Sequence, residues 1–213
     1  MSPSNATIFV VDDDTSVRNA VKRLIRSLGF VVETFDSAQA FLKHEPHDGP
    51  ACLLLDIRMP GTSGIELQEQ LAEAGVQIPI IFITGHGNIP LSVKAMKAGA
   101  VDFIEKPFED QKLIDTIHAA IAQNKQFITE QAEINELQQH IDSLTPREHE
   151  VFMLVVSGML NKQIAFDLGM SEKTVKVHRA RVMDKMKTKS LADLVRMAEK
   201  AGQFESKLKS ILD

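Results

Sequence analysis

Short apolar runs that end in a polar residue recur along the first half of the chain. They read Ile8-Phe9-Val10-Val11 before Asp12-Asp13, Leu53-Leu54-Leu55 before Asp56, Ile80-Ile81-Phe82-Ile83 before Thr84, and Val101-Asp102-Phe103-Ile104 before Glu105 and Lys106. Continuous runs of Val, Ile and Leu are typical of strands that are buried on both faces of a sheet. Together with the run from Val31 to Phe35, the pattern predicts five buried strands.

Apolar residues spaced three and four apart lie between these runs and predict helices. One helix ends at Gly29, since glycine accepts the backbone conformation that terminates helices. Ser63, followed by Glu66 three residues later, predicts a capping box at the start of another. Strands that alternate with helices indicate an α/β fold, here a doubly wound, five-stranded parallel sheet over residues 1–124.

The polar residues at the strand ends predict one common site. In an open parallel sheet, ligands bind outside the carboxyl ends of the strands. Three carboxylates (Asp12, Asp13 and Asp56) would meet the Thr84 hydroxyl and the Lys106 ammonium there. Such a set can hold a divalent cation and a phosphoryl group together.

Each of these residues has a predicted role. Asp56 precedes a Pro60-Gly61 turn and is the candidate phospho-acceptor, since a carboxylate can form an aspartyl phosphate. Oxygen ligands with open positions favour Mg²⁺. We expect Asp13, Asp56 and the Arg58 carbonyl to bind it directly and Asp12 to act through a water. Thr84 and Lys106 would contact phosphoryl oxygens.

Charge is distributed unevenly along the chain. The net charge is −5, yet residues 145–213 carry 13 Lys and Arg against 9 Asp and Glu, whereas residues 1–124 carry 10 against 16. A basic second half suggests contact with nucleic acid.

No apolar run approaches the roughly 20 residues that are needed to cross a bilayer. We therefore expect no membrane-spanning segment, and we also expect no signal peptide. Cys52 lies in an apolar strand and reads as a core residue, so we expect a cytoplasmic protein without disulfides.

The basic half predicts an all-α domain of four helices. Thr145 is the expected N-cap of the first, with Pro146 in the first turn and Glu148 closing a capping box. A second helix runs from Asn161 to Leu168, and a third follows from Ser171 to about Met186. Two short helices joined by a turn with glycine indicate a helix-turn-helix. The fourth helix is expected to run from near Ser190 to about Lys200.

The third helix is the candidate recognition helix. Val175, Val182 and Met186 are spaced to face the core. On the opposite face, Lys176, Val177 and Ala180 would enter the major groove, where a lysine can donate to guanine and a valine can pack on a thymine methyl. The expected phosphate contacts are Lys173, Thr174, Arg179, Arg181 and Lys187.

Both halves resemble known families. Val11-Asp12-Asp13-Asp14, Asp56 with Met59-Pro60-Gly61, Thr84-Gly85 and Lys106-Pro107-Phe108 resemble the flavodoxin-like receiver domain of two-component response regulators. Leu144-Thr145-Pro146-Arg147-Glu148, Asn161-Lys162-Gln163-Ile164-Ala165 and Ser171-Glu172-Lys173-Thr174-Val175-Lys176-Val177-His178 resemble the LuxR-type output domain. Together they resemble a response regulator of the FixJ type, which is not an enzyme in the ordinary sense. Thr84-Gly85-His86-Gly87 and the segment from Met96 to Glu109 carry the resemblance to that branch in particular.

The resemblance implies a mechanism. A sensor histidine kinase would phosphorylate Asp56, and Thr84 with Phe103 would act as a switch, although Phe103 could also be strand core. The receiver would then dimerise through a face that includes Val93 and Lys97, and the dimer would bind double-stranded promoter DNA and act on RNA polymerase, with activation expected. A cis peptide bond between Lys106 and Pro107 is also implied.

Residues 125–143 separate the receiver (1–124) from the output domain (144–213). They lack Pro and Gly, so we expect a helical linker, with a flexible tether as the alternative. Ile134, Leu137, Ile141 and Leu144 fit a short heptad seam. A different function also remains open at this point: the basic helices could dock an acidic protein partner, with the receiver as a phosphorylation-gated binding module.

Overall fold

A computed structural model describes residues 6–85 and 89–212, with side chains up to residue 202. The chain divides into two compact units, Met1–Ile128 and Thr129–Asp213. His86 and Gly87 of the receiver-like motif lie outside the described residues. The strands are β1 (Thr7–Val11), β2 (Val31–Phe35), β3 (Ala51–Asp56), β4 (Ile80–Thr84) and β5 (Asp102–Glu105). The helices are α1 (Thr15–Ser27), α2 (Ala38–Leu42), α3 (Gly64–Glu73), α4 (Ile89–Lys97), α5 (Asp110–Asp142), α6 (Pro146–Val156), α7 (Asn161–Asp167), α8 (Glu172–Lys185) and α9 (Leu191–Leu212).

The five strands of the first unit form one parallel sheet in the order β2-β1-β3-β4-β5. This order confirms the predicted doubly wound sheet. The strand order reverses at β1, so the crevice between the carboxyl ends of β1 and β3 is the switch point where such folds bind ligands. Asp12 and Asp56 lie at these two strand ends.

Helices cover both faces of the sheet, as the continuous apolar strands require. On one face Val21 and Ile25 of α1 join Leu113 and Ile117 of α5 in the core. On the other face the core takes residues from α2, α3 and α4, among them Leu67. All residues of β1, β3 and β4 are buried between these layers, whereas the edge strands β2 and β5 are only partly buried.

Local signals in the sequence explain most of the helix ends in this unit. Ser63 and Glu66 form the predicted capping box, and Gly29 follows α1 with a φ of 85°. Periodicity does not locate helix α2, because its five residues span less than two turns. The cap Ser37, whose hydroxyl accepts from the Ala40 N–H at 3.3 Å, was the available signal for it.

The second unit holds helices α6 to α9 around a core of its own. Thr145 caps α6 in the predicted capping box, with Pro146 in its first turn. Val175, Val182 and Met186 of the α8 segment are fully buried in this core, as their spacing predicted. Helix α9 extends to Leu212, beyond the end near Lys200 that we predicted, because no proline interrupts it and Gly202 is accommodated within the helix.

Helix α5 is continuous from Asp110 to Asp142, and residues 125–142 lie within it. Leu137 and Leu144 are buried in the core of the second unit, and Ile141 packs against the same core. Three of the four residues of the suspected heptad seam are therefore packed inside their own unit. Among the described residues, no helix is both long enough and apolar enough to span a membrane.

Candidate functional site

The acidic residues at the ends of β1 and β3 converge on one lysine. Asp12 and Asp56 are 3% and 6% exposed. The Lys106 ammonium, which follows β5, donates to Asp12 Oδ2 at 2.6 Å and to Asp56 Oδ1 at 2.8 Å. Three strands therefore place two carboxylates and one ammonium in the same crevice, and Lys106 contacts the carboxylates directly.

Burial and the contacts with Lys106 act in opposite directions on the pKa values of the acidic crevice, and burial prevails only at Asp56. Burial raises the pKa of Asp56 above its ordinary value, although the Lys106 ammonium and the Arg58 N–H, at 2.7 Å from Asp56 Oδ2, act in the opposite direction. Burial alone would lower the pKa of Lys106, but its hydrogen bonds to Asp12 and Asp56 outweigh burial and raise it. Two carboxylates against one ammonium leave the crevice with an excess of negative charge when all three are ionised.

The three consecutive aspartates after β1 have different environments. Asp12 is buried, and its Oδ1 accepts from the Asp14 N–H at 2.9 Å. Asp13 is exposed on the turn. Asp14 caps α1, and the backbone N–H groups of Ser16 and Val17 lower its pKa.

Sequence reasoning missed one residue of this turn. The Arg18 guanidinium donates to the Asp12 carbonyl at 2.6 Å and to the Thr15 hydroxyl at 2.9 Å. Arg18 lies in α1, one helical turn beyond the cap Asp14, and that spacing was the one available signal for it.

The composition of the crevice suits a hard cation. Asp12, Asp13, Asp56 and the Arg58 carbonyl offer oxygen atoms only, and the excess of buried negative charge favours a divalent ion. Asp13 and Arg58 also line a shared surface cavity beside the crevice. Across residues 6–85 and 89–202, no three His, Cys, Asp or Glu side chains lie close enough together to hold a metal by themselves. A magnesium site there would need backbone carbonyl and water oxygens, as Mg²⁺ commonly uses.

Thr84 and Phe103 lie on neighbouring strands next to the acidic crevice. Thr84 is the last residue of β4 and is 1% exposed, and its carbonyl accepts from the Lys106 N–H at 2.7 Å. Phe103 of β5 pairs with Phe82 of β4 and is half-buried against the core on the α3 and α4 side. The Lys106–Pro107 peptide bond is cis, as the resemblance implied.

Helix α4 leaves much of its apolar surface exposed. Of its residues only Ala95 is buried, whereas Ile89, Val93 and Met96 are 79%, 46% and 44% exposed. Lys97 is exposed as well. Val93 and Lys97, the residues expected at a dimer face, therefore lie on an accessible surface with apolar neighbours.

In the second unit, α8 presents a polar and basic surface opposite its buried residues. Ser171 caps the helix, and its hydroxyl is 2.8 Å from that of Thr174. The exposed residues of this helix include Lys173, Thr174, Lys176, Val177, Ala180 and Arg181. They comprise the three candidate base-reading residues and most of the expected phosphate contacts.

Two of the expected phosphate contacts also have partners inside the second unit. Arg179 is half-buried and donates to the Asn161 side chain at 3.1 Å, which ties α8 to the start of α7. Lys187 lies 3.9 Å from Glu136, and both side chains are about two-thirds exposed. Arg179 therefore stabilises the helix-turn-helix, whereas Lys187 is free to exchange a weak partner for another.

The comparisons with known proteins agree with both halves of the chain. Residues 8–118 match the family model of the response regulator receiver domain, and residues 142–198 match that of the bacterial regulatory proteins of the luxR family. Nodulation protein W of Bradyrhizobium diazoefficiens is 47% identical over 199 residues, which are 93% of this chain and 88% of that protein.

Two further matches concern the FixJ family and a solved structure. The transcriptional regulatory protein FixJ of Rhizobium meliloti is 45% identical over 92% of this chain and 96% of its own length. The structure of the response regulator StyR matches 92% of this chain and 98% of its own with 52% identity and a TM-score of 0.85. The chain therefore belongs to the two-component response regulators of the FixJ type, non-enzymatic transcriptional regulators that join a receiver domain to a LuxR-type DNA-binding domain.

Proposed function

We propose that Asp56 accepts a phosphoryl group from a sensor histidine kinase and that this modification controls DNA binding by the second unit. The observation that carries the proposal is the contact of Lys106 with both Asp12 and Asp56 at the carboxyl edge of the sheet. An Asp56 carboxylate oxygen would bond to phosphorus as the bond from phosphorus to the kinase histidine breaks. Lys106 and the Thr84 hydroxyl would then pair with phosphoryl oxygens.

Magnesium is the cofactor we propose for this step. Asp13, Asp56 and the Arg58 carbonyl would hold it, with Asp12 bound through a water. When bound, the cation neutralises charge on the phosphoryl oxygens. Asp12 and Asp56 contribute two buried carboxylates that a single lysine does not balance, which is what supports the assignment.

The acceptor is tested with a small phosphodonor such as acetyl phosphate and Mg²⁺. We expect wild-type protein to be labelled on Asp56 and Asp56→Asn to remain unlabelled. Asp36→Asn is the matched control. Asp36 directly follows strand β2, just as Asp12 directly follows β1, but the side chain of Asp36 accepts a hydrogen bond from the Ser37 hydroxyl. Normal labelling of Asp56→Asn, with the modified residue mapped elsewhere, would refute the acceptor.

The metal ligands need a separate measurement. Asp13→Ala should weaken Mg²⁺ binding, and excess Mg²⁺ should partly restore its labelling. Mg²⁺ affinity and labelling are measured on the same preparation. Loss of labelling with unchanged metal affinity would remove Asp13 from the ligand set.

We further propose that phosphorylation promotes dimerisation through the face of α4 that holds Val93 and Lys97. The exposed apolar side chains of α4 support this choice, and Thr84 lies shortly before this helix at the end of β4. Movement of Thr84 toward the phosphoryl group would bias the position of α4, a local event with a larger structural effect.

Sedimentation velocity tests the dimer face. Phosphorylation should raise the sedimentation coefficient of the wild type and leave Val93→Glu monomeric. Val76→Glu is the matched control, because Val76 is 47% exposed and Val93 is 46% exposed. If Val93→Glu dimerises as well as Val76→Glu, the proposed face is wrong.

For the second unit we propose that α8 reads promoter DNA. Lys176, Val177 and Ala180 would meet base edges, and Lys173, Thr174, Arg179, Arg181 and Lys187 would contact phosphates. The match to LuxR-type regulators favours DNA over an acidic protein partner. The bound dimer would then activate transcription through RNA polymerase in the cytoplasm.

Footprinting of the phosphorylated protein on genomic fragments would identify the target, which we expect to contain inverted half-sites about one helical turn apart. On single-base variants of that target, Lys176→Ala should lose roughly 1–3 kcal/mol and relax the preference at one position. Lys187→Ala should weaken binding to specific and random DNA alike. If the two variants exchange these behaviours, the face of α8 has been assigned the wrong way round.

A further inference from the structure

The receiver unit contains a second concave site, at the amino-terminal edge of the sheet and therefore opposite the acidic crevice. It is a cavity of about 700 Å³, within the size range of small-molecule sites. Helix α2 ends at Leu42, and the following segment, which contains Pro46 and Gly49 with a φ of 125°, forms one wall. The end of α3, the residues before β4 and the part of α5 around Phe127 form the others.

The walls of this amino-edge cavity are apolar and rich in rings. Phe9 is 1% exposed, and the rings of Phe41, His44 and His47 lie edge-on to it with centroids 5.4 to 5.5 Å away. Phe127 adds a further ring and is 39% exposed. Edge-to-face contacts of this kind add to the energy of apolar burial, so a flat aromatic ligand would be stabilised by both effects.

Large apolar side chains around the opening remain in water. Leu42, Val76 and Ile128 are 41%, 47% and 36% exposed and line the cavity together with Phe127. Covering them removes apolar surface from water, which favours binding by about 25 cal/mol per Å² buried. The cavity can therefore bind a ligand without new hydrogen bonds.

The polar groups of the amino-edge cavity restrict the charge of a ligand. Asn124 uses both ends of its amide on the backbone, accepting from Ala51 N at 2.9 Å and donating to Gln77 O at 3.3 Å. The acidic lining residues are Glu45 and Asp48, the lining residue His44 contacts the Glu33 carboxylate at 2.9 Å, and none of the described lining residues is Lys or Arg. A cationic group near the opening would meet opposite charge, whereas an anionic group would not.

We propose that the amino-edge cavity binds a small aromatic amine. The ring would lie against the cluster around Phe9, and the ammonium would lie toward Glu45 and Asp48. The site is separate from the acidic crevice and does not depend on the phosphorylation proposed above.

Tryptamine, indole and indole-3-acetate are suitable probes, because they share a ring and differ in charge. The chain has no Trp and no Tyr, so indole fluorescence in a titration of the full-length protein comes from the ligand alone. At a pH of about 8, fluorescence anisotropy should give a Kd for tryptamine below about 1 mM. Indole should bind several-fold more weakly and indole-3-acetate about tenfold more weakly than tryptamine.

Two variants of α3 and its cap locate the site. Ala74 lines the cavity, whereas Ala72 is exposed on the same helix and does not. Ala74→Phe should reduce tryptamine affinity at least tenfold, and Ala72→Phe should leave it unchanged, with circular dichroism verifying that both are folded. Glu45→Gln combined with Asp48→Asn should remove the preference for tryptamine over indole while retaining indole binding.

Several results would overturn the proposal. The proposal is wrong if none of the three probes binds at concentrations up to about 1 mM, or if indole-3-acetate binds most tightly. It is also wrong if Ala72→Phe and Ala74→Phe lose tryptamine affinity equally, or if Asp56→Asn no longer binds tryptamine. A sedimentation coefficient that falls in Ala74→Phe, without tryptamine binding to the wild type, would instead assign the cavity to a second copy of the chain.

Discussion

Glu148→Gln is expected to destabilise the DNA-binding unit through the loss of one charge. Glu148 is 3% exposed, and its carboxylate accepts from the Lys185 ammonium at 2.6 Å and from the Thr145 N–H at 2.9 Å. Glutamine can replace glutamate in a capping box. The substitution therefore keeps the helix cap and removes the ion pair that joins the start of α6 to the end of α8.

The size of the effect follows from the pKa of Glu148. Its hydrogen bond from Lys185, followed by that from the Thr145 N–H, lowers this pKa from 4.5 to about 2. A shift of that size corresponds to roughly 3 kcal/mol at neutral pH. One third of the Lys185 side chain is exposed, so solvent screening reduces the expected loss to about 2 kcal/mol.

Hydrogen exchange of peptides from α6 and α8 in the full-length protein measures the unfolding free energy of this unit apart from the receiver. The control is Glu150→Gln on the same helix, because the Glu150 pair with Arg147 is about half exposed on both sides. Such exposed pairs contribute about 0–1 kcal/mol. Equal losses in the two variants would show that burial of Glu148 adds nothing to the pair.

The same residue predicts a pH dependence with a definite sign. In the folded state the Glu148 carboxylate stays ionised at pH values below 4.5, the ordinary pKa of a glutamate. The unfolded state therefore binds more protons than the folded state between about pH 4.5 and pH 2. The stabilisation is fully present above pH 4.5 and is lost as the pH falls toward 2. Wild type and Glu148→Gln should therefore converge at low pH, and a constant difference would contradict the assignment.

Three further predictions concern packing, backbone and reactivity. Gly64→Ala should lower the free energy of unfolding by more than about 2 kcal/mol and impair labelling of Asp56, because a Cβ there would lie 2.2 Å from the Asp56 carbonyl oxygen. Gly202→Ala, whose Cβ would have no described atom within 4 Å, is the control in urea unfolding. Lys187 has a φ of 51°, a backbone conformation that glycine adopts more easily than residues with a Cβ. Lys187→Gly should therefore raise the free energy of unfolding by about 1 kcal/mol, whereas Lys187→Ala should not. Equal melting temperatures of the two variants would contradict this. Cys52 is buried, and burial raises the pKa of its thiol from 9.0 to about 12, so native protein should resist thiol reagents until it unfolds, and rapid native labelling would refute its burial.

Much of the fold follows from local sequence. The runs of β1, β3 and β4 are apolar almost throughout, and such runs can be buried only if helices cover both faces of the sheet. Ser63 with Glu66, and Thr145 with Glu148, mark helix starts through hydrogen bonds that span three residues. Helix α2 cannot be predicted in this way, because five residues are too few to establish a helical period.

The sequence also predicts which residue types form the acidic crevice, since parallel strands bring their carboxyl ends to one edge of the sheet. It does not predict which of these side chains contact one another. Asp12 and Lys106 are 94 positions apart, yet they are joined at 2.6 Å. Only tertiary structure could decide that Lys106 contacts both carboxylates and that Asp13, next to Asp12 in sequence, remains exposed.

In the second unit, helical spacing is enough to predict which face of α8 is buried, because periodicity relates Val175 to Val182 without reference to any other element. Tertiary structure alone decided the partners of its basic residues. Arg179 and Lys185 have the same charge as Lys176, but they contact Asn161 and Glu148 from other helices of the unit. Local spacing controls which side chains share a face, whereas the partners of long charged side chains depend on elements that meet only after the chain has folded.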